Sequence, residues 1–328
     1  MRNPFFLSIL LVLNISCCNL NDRACVDWND LHDVRLFHGN DTLAYRDPAV
    51  LFHKGTFHLF FSLVRIENDS IFSYVAYSKS KNLKEWTDVR ILTPRDQQLN
   101  YSSPGNVVKY GDEWLLCMQT YPRPDYVKSQ IPRYGDSTAR IYIMRSHNLV
   151  DWSEPELLHV KGPDIPVHEM GRMIDPYLIE DKDEAGKWWC LYKQNGVSMS
   201  YTYDFKNWTY AGSTESGENV CVWVEDDTYK LMHSPANGLG VKISQDLLHW
   251  TDLPGLITLG QGEPGWDWAR GRLTAGAIID GREIPGIERY LLFFHGSGPQ
   301  GEQVDFDSNA SIGIAWSTDF QEWSWPEN

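Results

Sequence analysis

The sequence predicts an all-β fold with the architecture of a five-bladed β-propeller, and two observations carry that prediction. One motif occurs five times: Asn or Asp, then Leu or Phe, two variable residues and Trp, with successive Trp residues 42 to 73 residues apart. Strand-like runs surround every copy, and no segment has the 3.6-residue periodicity of an amphipathic helix. Repeats of this length with four short strands each are typical of propeller blades. The five copies occupy residues 82–86, 148–152, 204–208, 246–250 and 319–323.

Each unit contains the strands that a blade needs, in the same order. Two apolar runs flank a short turn in every unit, which predicts an antiparallel pair; in the first unit the turn is His53-Lys54-Gly55. A third run then leads into the Trp motif. The paired runs are 49–52 with 56–61, 106–109 with 113–116, 176–179 with 187–191, 220–223 with 229–232, and 275–279 with 290–294. A β-sandwich with accidental Trp spacing is the alternative.

The repeated motif also explains much of the high tryptophan content, 14 residues in 328. We expect its Asn or Asp to cap a tight turn, its Leu or Phe to tuck under that turn, and its Trp to begin an outer strand. Trp114, Trp188 and Trp189 lie in inner strands and are expected to pack between blades. Trp266 and Trp268 lie outside the repeat.

The N-terminal residues resemble an export signal rather than part of the fold. An apolar stretch at 5–13 is too short to span a bilayer. A small residue then precedes Cys17, as in bacterial lipoprotein signals, so residues 1–17 are expected to be a signal peptide of the lipoprotein type. Plain secretion and a cytosolic location are the alternatives. We expect an N-terminal extension at 18–44, which packs on a single propeller at 45–328. As a lipoprotein, the protein would lie in the periplasm or on the outer-membrane surface.

Charge and cysteine content exclude some classes of partner and site. The formal net charge is −15, which disfavours nucleic-acid binding. No CxxC spacing is present, so a zinc site is not expected. Cys117, Cys190 and Cys221 lie in apolar runs and are expected to be buried thiols, with a disulfide as the alternative. We expect a monomer that meets a membrane only through its lipid anchor.

Acidic residues open three of the predicted blades. Asp47 precedes Pro48, Asp175 precedes Pro176, and Glu218 opens the fourth unit. The first strand of each blade lines the propeller axis, so these side chains are expected to converge although they are distant in sequence. Like charges at close range raise one another's pKa values, and a raised pKa is the condition for a general acid near neutral pH. Inverting glycoside hydrolysis needs such a set, with one carboxylate as base and one carboxylic acid.

These residues resemble those of glycoside hydrolase family 43 and its clan, which are five-bladed propeller enzymes. The resemblance runs roughly from Tyr45 to Trp325 and implies that Asp47 is the general base, Asp175 orients and tunes the acid, and Glu218 is the general acid. It implies no organic cofactor. The stretch 293–296 resembles a last-blade segment whose His, here His295, lies near the axis and can help to hold a cation, so a structural calcium ion is a further expectation.

The chain also departs from the family's pattern. The family's acid usually stands in a Glu-Gly-Pro context, whereas Glu218 is followed by Asn219, and Arg46 before the first Asp-Pro is unlike many members. The stretch 265–272 is not part of the common pattern. The superfamily is therefore better supported than the narrow family or its substrate.

Several other polar and aromatic residues are candidates for binding the substrate. Each has a structural alternative: Arg270 and Arg272 can neutralise acidic neighbours, Trp266 and Trp268 can be rim packing, and His295 can be a purely structural axial histidine. The insertion at 121–140 is expected to form one wall of the pocket. The substrate-binding candidates are Arg46, Asn106, His168, Trp266, Trp268, Arg270 and Arg272.

The resulting functional prediction is an exported, inverting, exo-acting glycoside hydrolase. Its expected substrates are side chains of plant or microbial polysaccharides, and its expected activity is that of an α-L-arabinofuranosidase or β-xylosidase. One alternative is a clan-related enzyme for galactose or an anhydrosugar. Another is a mannoside-phosphorylase-like enzyme with Arg172, Arg270 and Arg272 as phosphate ligands, and a third is a surface glycan-binding propeller without catalysis.

Overall fold

The structure is a computed structural model that describes residues 23–298 and 306–326. The predicted signal peptide at 1–17 lies outside these residues. The described chain forms strands and four single turns of 3-10 helix, which confirms the all-β prediction. The turns are Trp28–Asp30, Lys128–Gln130, Val167–Glu169 and Asp267–Ala269. None of the helices in the described ranges is long and apolar enough to cross a membrane.

The strands group into five antiparallel sheets, which are the five predicted blades. A short N-terminal strand, β1, is Arg35–Phe37. Blade 1 contains β2 (Leu43–His53), β3 (Thr56–Glu67), β4 (Ser70–Ser80) and β5 (Arg90–Ile91). Blade 2 contains β6 (Tyr101–Ser102), β7 (Val107–Tyr110), β8 (Glu113–Thr120), β9 (Ile141–Ser146) and β10 (Glu156–Leu157). Blade 3 contains β11 (Ile174–Glu180), β12 (Trp188–Lys193), β13 (Val197–Thr202) and β14 (Trp208–Thr214). Blade 4 contains β15 (Glu218–Glu225), β16 (Thr228–Ala236), β17 (Gly238–Ser244) and β18 (Thr251–Asp252). Blade 5 contains β19 (Arg272–Asp280), β20 (Tyr290–Ser297) and β21 (Ser311–Ser317), with β1 as its fourth strand.

The ring closes through the N-terminal segment, which corrects one detail of the sequence interpretation. We expected Trp323 to begin the outer strand of blade 5. That position is instead occupied by β1, which pairs antiparallel with β21, and the residues around Trp323 contribute only an isolated bridge between Trp316 and Ser324. One blade therefore combines both ends of the described chain. The hydrogen bonds of its outer edge depend on residues that precede blade 1.

The five Trp motifs form the same turn, as predicted. The Trp begins an outer strand in blade 3, where β14 starts at Trp208, but the outer strands of blades 1, 2 and 4 start after it, at Arg90, Glu156 and Thr251. In blade 1, Ser80 Oγ accepts the Leu83 N–H at 2.8 Å and Asn82 Oδ1 accepts the Glu85 N–H at 2.9 Å. Leu83 is fully buried under the turn in a left-handed conformation, with φ of +65°. Equivalent hydrogen bonds occur in the other four blades, where the residue that plays the part of Ser80 is Ser146, Thr202, Ser244 or Ser317. Local side-chain bonds thus end every blade in the same way.

The apolar core is divided among the interfaces between neighbouring blades. Separate clusters join blades 1 and 2, 2 and 3, 3 and 4, 4 and 5, and 5 and 1. Trp188 and Trp189 lie in the clusters on either side of blade 3, which confirms that they pack between blades. Cys117, Cys190 and Cys221 are buried free thiols, also as predicted.

Phe37 offers a test of ring closure, because it joins the outer strand of blade 5 to blade 1. Its ring centroid lies 5.1 Å from that of Phe61 and 5.3 Å from that of Tyr45. Phe37→Ala is expected to lower the free energy of unfolding by about 3–5 kcal/mol, measured by urea denaturation. The control is Leu253→Ala at a residue that is 39% exposed, with an expected change within about 0.5 kcal/mol. Equal effects of the two substitutions would contradict closure through β1.

Candidate active site

The inner strand of every blade is interrupted at the same point, and the interruption directs one side chain toward the axis. The pairing register shifts there in blades 1, 3, 4 and 5, and in blade 2 the inner strand divides into β6 and β7. The residue at this bulge is left-handed in all five blades, with φ between +42° and +53°. All five line one narrow channel at the centre of the ring. They are Asp47, Ser103, Asp175, Asn219 and Ala275.

This repeat corrects the expected equivalence of the three acidic residues. Asp47 and Asp175 occupy the bulge position in blades 1 and 3, but the bulge residue of blade 4 is Asn219. Glu218 is one residue earlier, is exposed, and lines the wider pocket above the channel. Asp-Pro marks the bulge in blades 1 and 3, whereas blade 4 has no proline after Asn219, so no local pattern indicates this offset.

The wider pocket lies above the channel and opens to solvent, with about 760 Å³ of empty space when the solvent at its mouth is included. The three predicted catalytic residues all border it. Part of its wall comes from the insertion at 121–140, which confirms that prediction. Its charged lining residues are Arg46, Asp47, Arg123, Arg133, Arg172, Asp175, Glu218, Arg272 and Asp307, and its ring-bearing ones include Tyr121, Tyr134, His295 and Phe306.

Asp47 is a buried carboxylate held by hydrogen-bond donors. Ser62 Oγ and Ser103 Oγ donate to its Oδ2 at 2.7 and 3.0 Å, and the guanidinium of Arg46 lies 3.6 Å from the same oxygen. Burial raises the pKa of Asp47, but the positive charge of Arg46 and the hydrogen bond from Ser62 oppose it, and the pKa lies well below its ordinary value. Asp47 is therefore ionised at neutral pH and can accept a proton.

His295 supports Asp47 from blade 5. Its Nδ1 accepts the backbone N–H of Asp47 at 3.2 Å, which assigns the ring proton to Nε2. Burial lowers the pKa of His295, so the ring is neutral. Nε2 is buried and has no hydrogen-bond partner among the residues that the structure describes. His295 therefore offers an N–H donor at the pocket.

The calcium ion that the resemblance suggested near His295 stays a prediction, and the described residues offer it few protein ligands. Calcium takes six to eight oxygen ligands, and no group of three or more His, Cys, Asp or Glu in the described ranges could hold a metal ion. A protonated Nε2 has no lone pair for a metal.

Asp175 is buried opposite Asp47, in a different electrostatic environment. Its backbone N–H donates to Gln119 Oε1 at 2.6 Å, and its Oδ2 accepts the Asn219 N–H at 3.4 Å. Burial and the nearby charges of Glu218 and Asp47 raise the pKa of Asp175 to about 7. The pocket thus combines an ionised carboxylate with a carboxyl group that keeps its proton up to neutral pH, which is the division of roles that acid–base catalysis requires.

The raised pKa of Asp175 predicts a pH-dependent gain in stability when this residue is replaced. The Asp175 carboxyl ionises near pH 3.8 in the unfolded chain and near pH 7 in the folded one. The stability that its higher affinity for a proton gives the folded state is therefore complete below pH 4 and is lost as the pH rises to 7. Asp175→Asn is therefore expected to be more stable than wild type at pH 8, by up to roughly 4 kcal/mol, and to gain much less at pH 4. Urea denaturation at both pH values measures this. An equal effect at both would contradict the assignment.

Two of the substrate-binding candidates, Arg46 and Arg272, lie at the pocket, and three others from the stretch 265–272 lie elsewhere. Arg270 forms an ion pair with Asp267 and donates to the Gln261 carbonyl at 3.2 Å. Its contacts therefore stabilise the loop that carries it. Trp266 and Trp268 stack on Phe294, with ring centroids 6.1 and 5.7 Å away, in the core between blades 4 and 5. Their expected place at the pocket is thus corrected: they are packing residues.

His168 and Asn106 also lie away from the pocket. The His168 side chain is 80% exposed and its Nε2 is 3.5 Å from a Glu169 carboxylate oxygen. Asn106 joins blades 2 and 3, because its amide donates to the Leu178 carbonyl at 2.7 Å and accepts the Leu178 N–H at 2.9 Å. Both side chains therefore have structural partners instead of a ligand-facing position.

Sequence reasoning missed a buried ion pair at the pocket. The Arg123 guanidinium bonds both Asp307 carboxylate oxygens at 2.9 Å, and Tyr126 Oη donates to Asp307 at 2.6 Å. These residues fix the insertion of blade 2 against the last blade. Arg123 and Asp307 are 184 positions apart, so no local pattern could have joined them.

Solved structures with the same architecture are similar to this chain over most of its length. An α-L-arabinofuranosidase from Podospora anserina, solved with cellotriose, has a TM-score of 0.59 at 13% identity, covering 86% of this chain and 95% of that one. A thermostable family-43 glycoside hydrolase has a TM-score of 0.57 at 13% identity, covering 88% and 95%. A putative glycosidase from Bacteroides thetaiotaomicron has a TM-score of 0.58 at 12% identity, covering 88% and 97%.

These similarities confirm the resemblance in fold to the propeller glycosidases of family 43 and its clan. At 12–14% identity they concern the fold, and the chemistry has to be argued from the site. No protein-family model matches the chain, and no curated protein matches it by sequence.

Proposed function

We propose that this chain is an inverting glycoside hydrolase whose active site is the pocket above the propeller axis. The observation that carries the proposal is the pairing of ionised Asp47 with protonated Asp175 in one pocket. Inverting hydrolysis of a glycosidic bond requires an ionised base and a proton donor. Asp47 has the charge state of the base, and the proton held by Asp175 shows that the environment beside Glu218 favours the neutral form of a carboxyl group. A protein that only binds a glycan does not need one ionised and one protonated carboxyl group in its pocket.

The residues divide the reaction as follows. Asp47 takes a proton from a water molecule as that water attacks the anomeric carbon, and the bond to the leaving oxygen breaks. Glu218 donates a proton to that oxygen, because it is the exposed acidic residue of the pocket and can reach a ligand. Asp175, buried beside it, is a positioning residue whose proton and charge set the electrostatics of Glu218. One water molecule is consumed. Asp47 then releases its proton to solvent and Glu218 takes one up from solvent, which restores both carboxyl groups.

The proposed substrate is the terminal sugar of a polysaccharide side chain. Support comes from the names of similar structures, which include arabinofuranosidases and an exo-1,5-α-L-arabinanase. The wall that the insertion at 121–140 builds beside the axis suits a pocket for one end of a chain better than an open groove. We therefore propose exo action, with arabinofuranosides and xylosides as the first candidates.

A panel of nitrophenyl glycosides tests this function. It includes the α-L-arabinofuranoside, the β-D-xyloside, galactosides and mannosides, each with and without inorganic phosphate. We expect release of nitrophenol from at least one member, at a rate that does not depend on phosphate. Turnover only with phosphate would indicate a phosphorylase, and glycan binding without turnover of any member would indicate a binding protein.

A further inference from the structure

The pocket is rich in arginine although the protein as a whole is strongly acidic. The chain carries a formal net charge of −15, yet five arginines and four acidic residues line the pocket. Asp175 keeps its proton up to about pH 7, so the positive charges outnumber the negative ones there. Such a local reversal of sign attracts a negatively charged ligand.

Two of these arginines occupy equivalent positions in the propeller. Arg172 and Arg272 each lie three residues before the bulge residue of their blade, Asp175 in blade 3 and Ala275 in blade 5. Blades 3 and 5 are the neighbours of blade 4, which carries Glu218. Both arginines line the pocket that Glu218 borders, and they come from the two blades next to the blade of Glu218.

Neither arginine forms an ion pair with an acidic residue in the part of the chain that the structure describes. Arg172 donates to the Gly135 carbonyl and to Tyr121 Oη, both at 3.3 Å, and these contacts fix its orientation. Arg272 Nε is buried and lacks a hydrogen-bond partner within the described ranges. Asp47 and Asp307, in contrast, already have Arg46 and Arg123. Arg172 and Arg272 are thus available to a ligand.

The other polar atoms without partners in this pocket include further N–H donors. Arg46 Nε and His295 Nε2 are buried and lack partners among the described residues, like Arg272 Nε. A buried donor without an acceptor is costly, and a ligand that brings acceptor oxygens to these atoms would relieve that cost. Arginine binds the oxygens of carboxylate, sulfate and phosphate groups in preference to a neutral hydroxyl.

We propose that Arg172 and Arg272 form an oxyanion-binding subsite, and that the substrate is a glycoside whose sugar carries a negatively charged group, a carboxylate or a sulfate ester. This inference rests on the proposed hydrolase function and assigns that hydrolase a class of substrate, glycosides of negatively charged sugars. It favours acidic sugars over the neutral pentosides named above. Free inorganic phosphate has the same chemistry, and the test separates the two sources.

Calorimetric titration of the purified protein at constant ionic strength tests the subsite. The probes are galacturonate and glucuronate, the neutral sugars galactose and glucose, inorganic sulfate and inorganic phosphate. We expect at least one sugar acid to bind about 10- to 100-fold more tightly than its neutral counterpart, which is the effect of a hydrogen bond to a charged group. Arg272→Gln and, separately, Arg172→Gln are expected to remove most of that preference. Arg270→Gln is the matched control, because Arg270 lies outside the pocket, and it should leave the preference unchanged.

Each outcome either shows whether the bound anion is a group on a sugar or a free inorganic ion, or overturns the proposal. Binding of phosphate or sulfate as tight as that of a sugar acid, and lost in both variants, supports the subsite with a free ion as ligand. Equal binding of charged and neutral sugars, no binding of any anion, or a preference that survives both substitutions overturns it. Turnover of neutral glycosides alone would overturn the subsite while leaving the hydrolase function intact. Anion binding without turnover of any glycoside would support the subsite and contradict the hydrolase function.

Discussion

Asp47→Asn is expected to lower kcat by about 10²- to 10⁴-fold, the usual contribution of a general base. Asparagine keeps the shape of the side chain and can still accept the hydrogen bonds of Ser62 and Ser103. It cannot take a proton from water, so the loss is expected in kcat with a small change in KM. The rate is measured on whichever glycoside the panel identifies.

Two controls accompany this substitution. Asp112→Asn makes the same chemical change at a side chain that is 90% exposed, and it should leave the rate unchanged. The depressed pKa of Asp47 means that its charge stabilises the fold above pH 3.8 and that this stability is lost as the pH falls. Because Asp47→Asn removes this stabilising charge, the variant is assayed well below its own melting temperature, so that the rate reports catalysis and not unfolding. A rate within threefold of wild type would exclude Asp47 as the base.

Glu218→Gln is expected to cause a loss that depends on the leaving group. An acid matters most when the departing oxygen is basic, so a natural glycoside should slow by about 10²- to 10⁴-fold. A dinitrophenyl glycoside leaves without a proton and should slow much less. Steady-state rates on both substrates give the comparison.

Glu215→Gln is the matched control for Glu218. It is an exposed glutamate three residues earlier that does not border the pocket. We expect its rates on both substrates to equal those of wild type. An equal loss on both substrates in Glu218→Gln would show that Glu218 has some other role than donating a proton.

The blade-ending turns could be predicted from sequence because all their interactions are local. A Ser or Thr oxygen, an Asn or Asp oxygen and four backbone N–H groups within six residues complete each turn. Asp47 and Asp175 were predictable for the same reason, since an Asp-Pro at the start of an inner strand marks the bulge. Five copies of a local signal gave the fold and two of the three acidic residues in their correct places.

Features that depend on distant parts of the chain could not be predicted. The pairing of β1 with β21 joins residues that are almost 280 positions apart, and nothing within Arg35–Phe37 indicates its partner. Trp266 and Trp268 are the kind of residue on which a sugar ring stacks. Only the packing of Phe294 against both rings shows that they belong to the core. The equivalence of Arg172 and Arg272 becomes visible once the bulges are aligned.

The anomeric configuration of the first-formed sugar tests the central claim most directly. Proton NMR follows the hydrolysis of an identified glycoside within minutes of adding enzyme, before mutarotation mixes the anomers. Attack by a water molecule that Asp47 activates predicts that the released sugar first has the configuration opposite to that of the substrate. Release with the original configuration would require a covalent intermediate and would contradict the account.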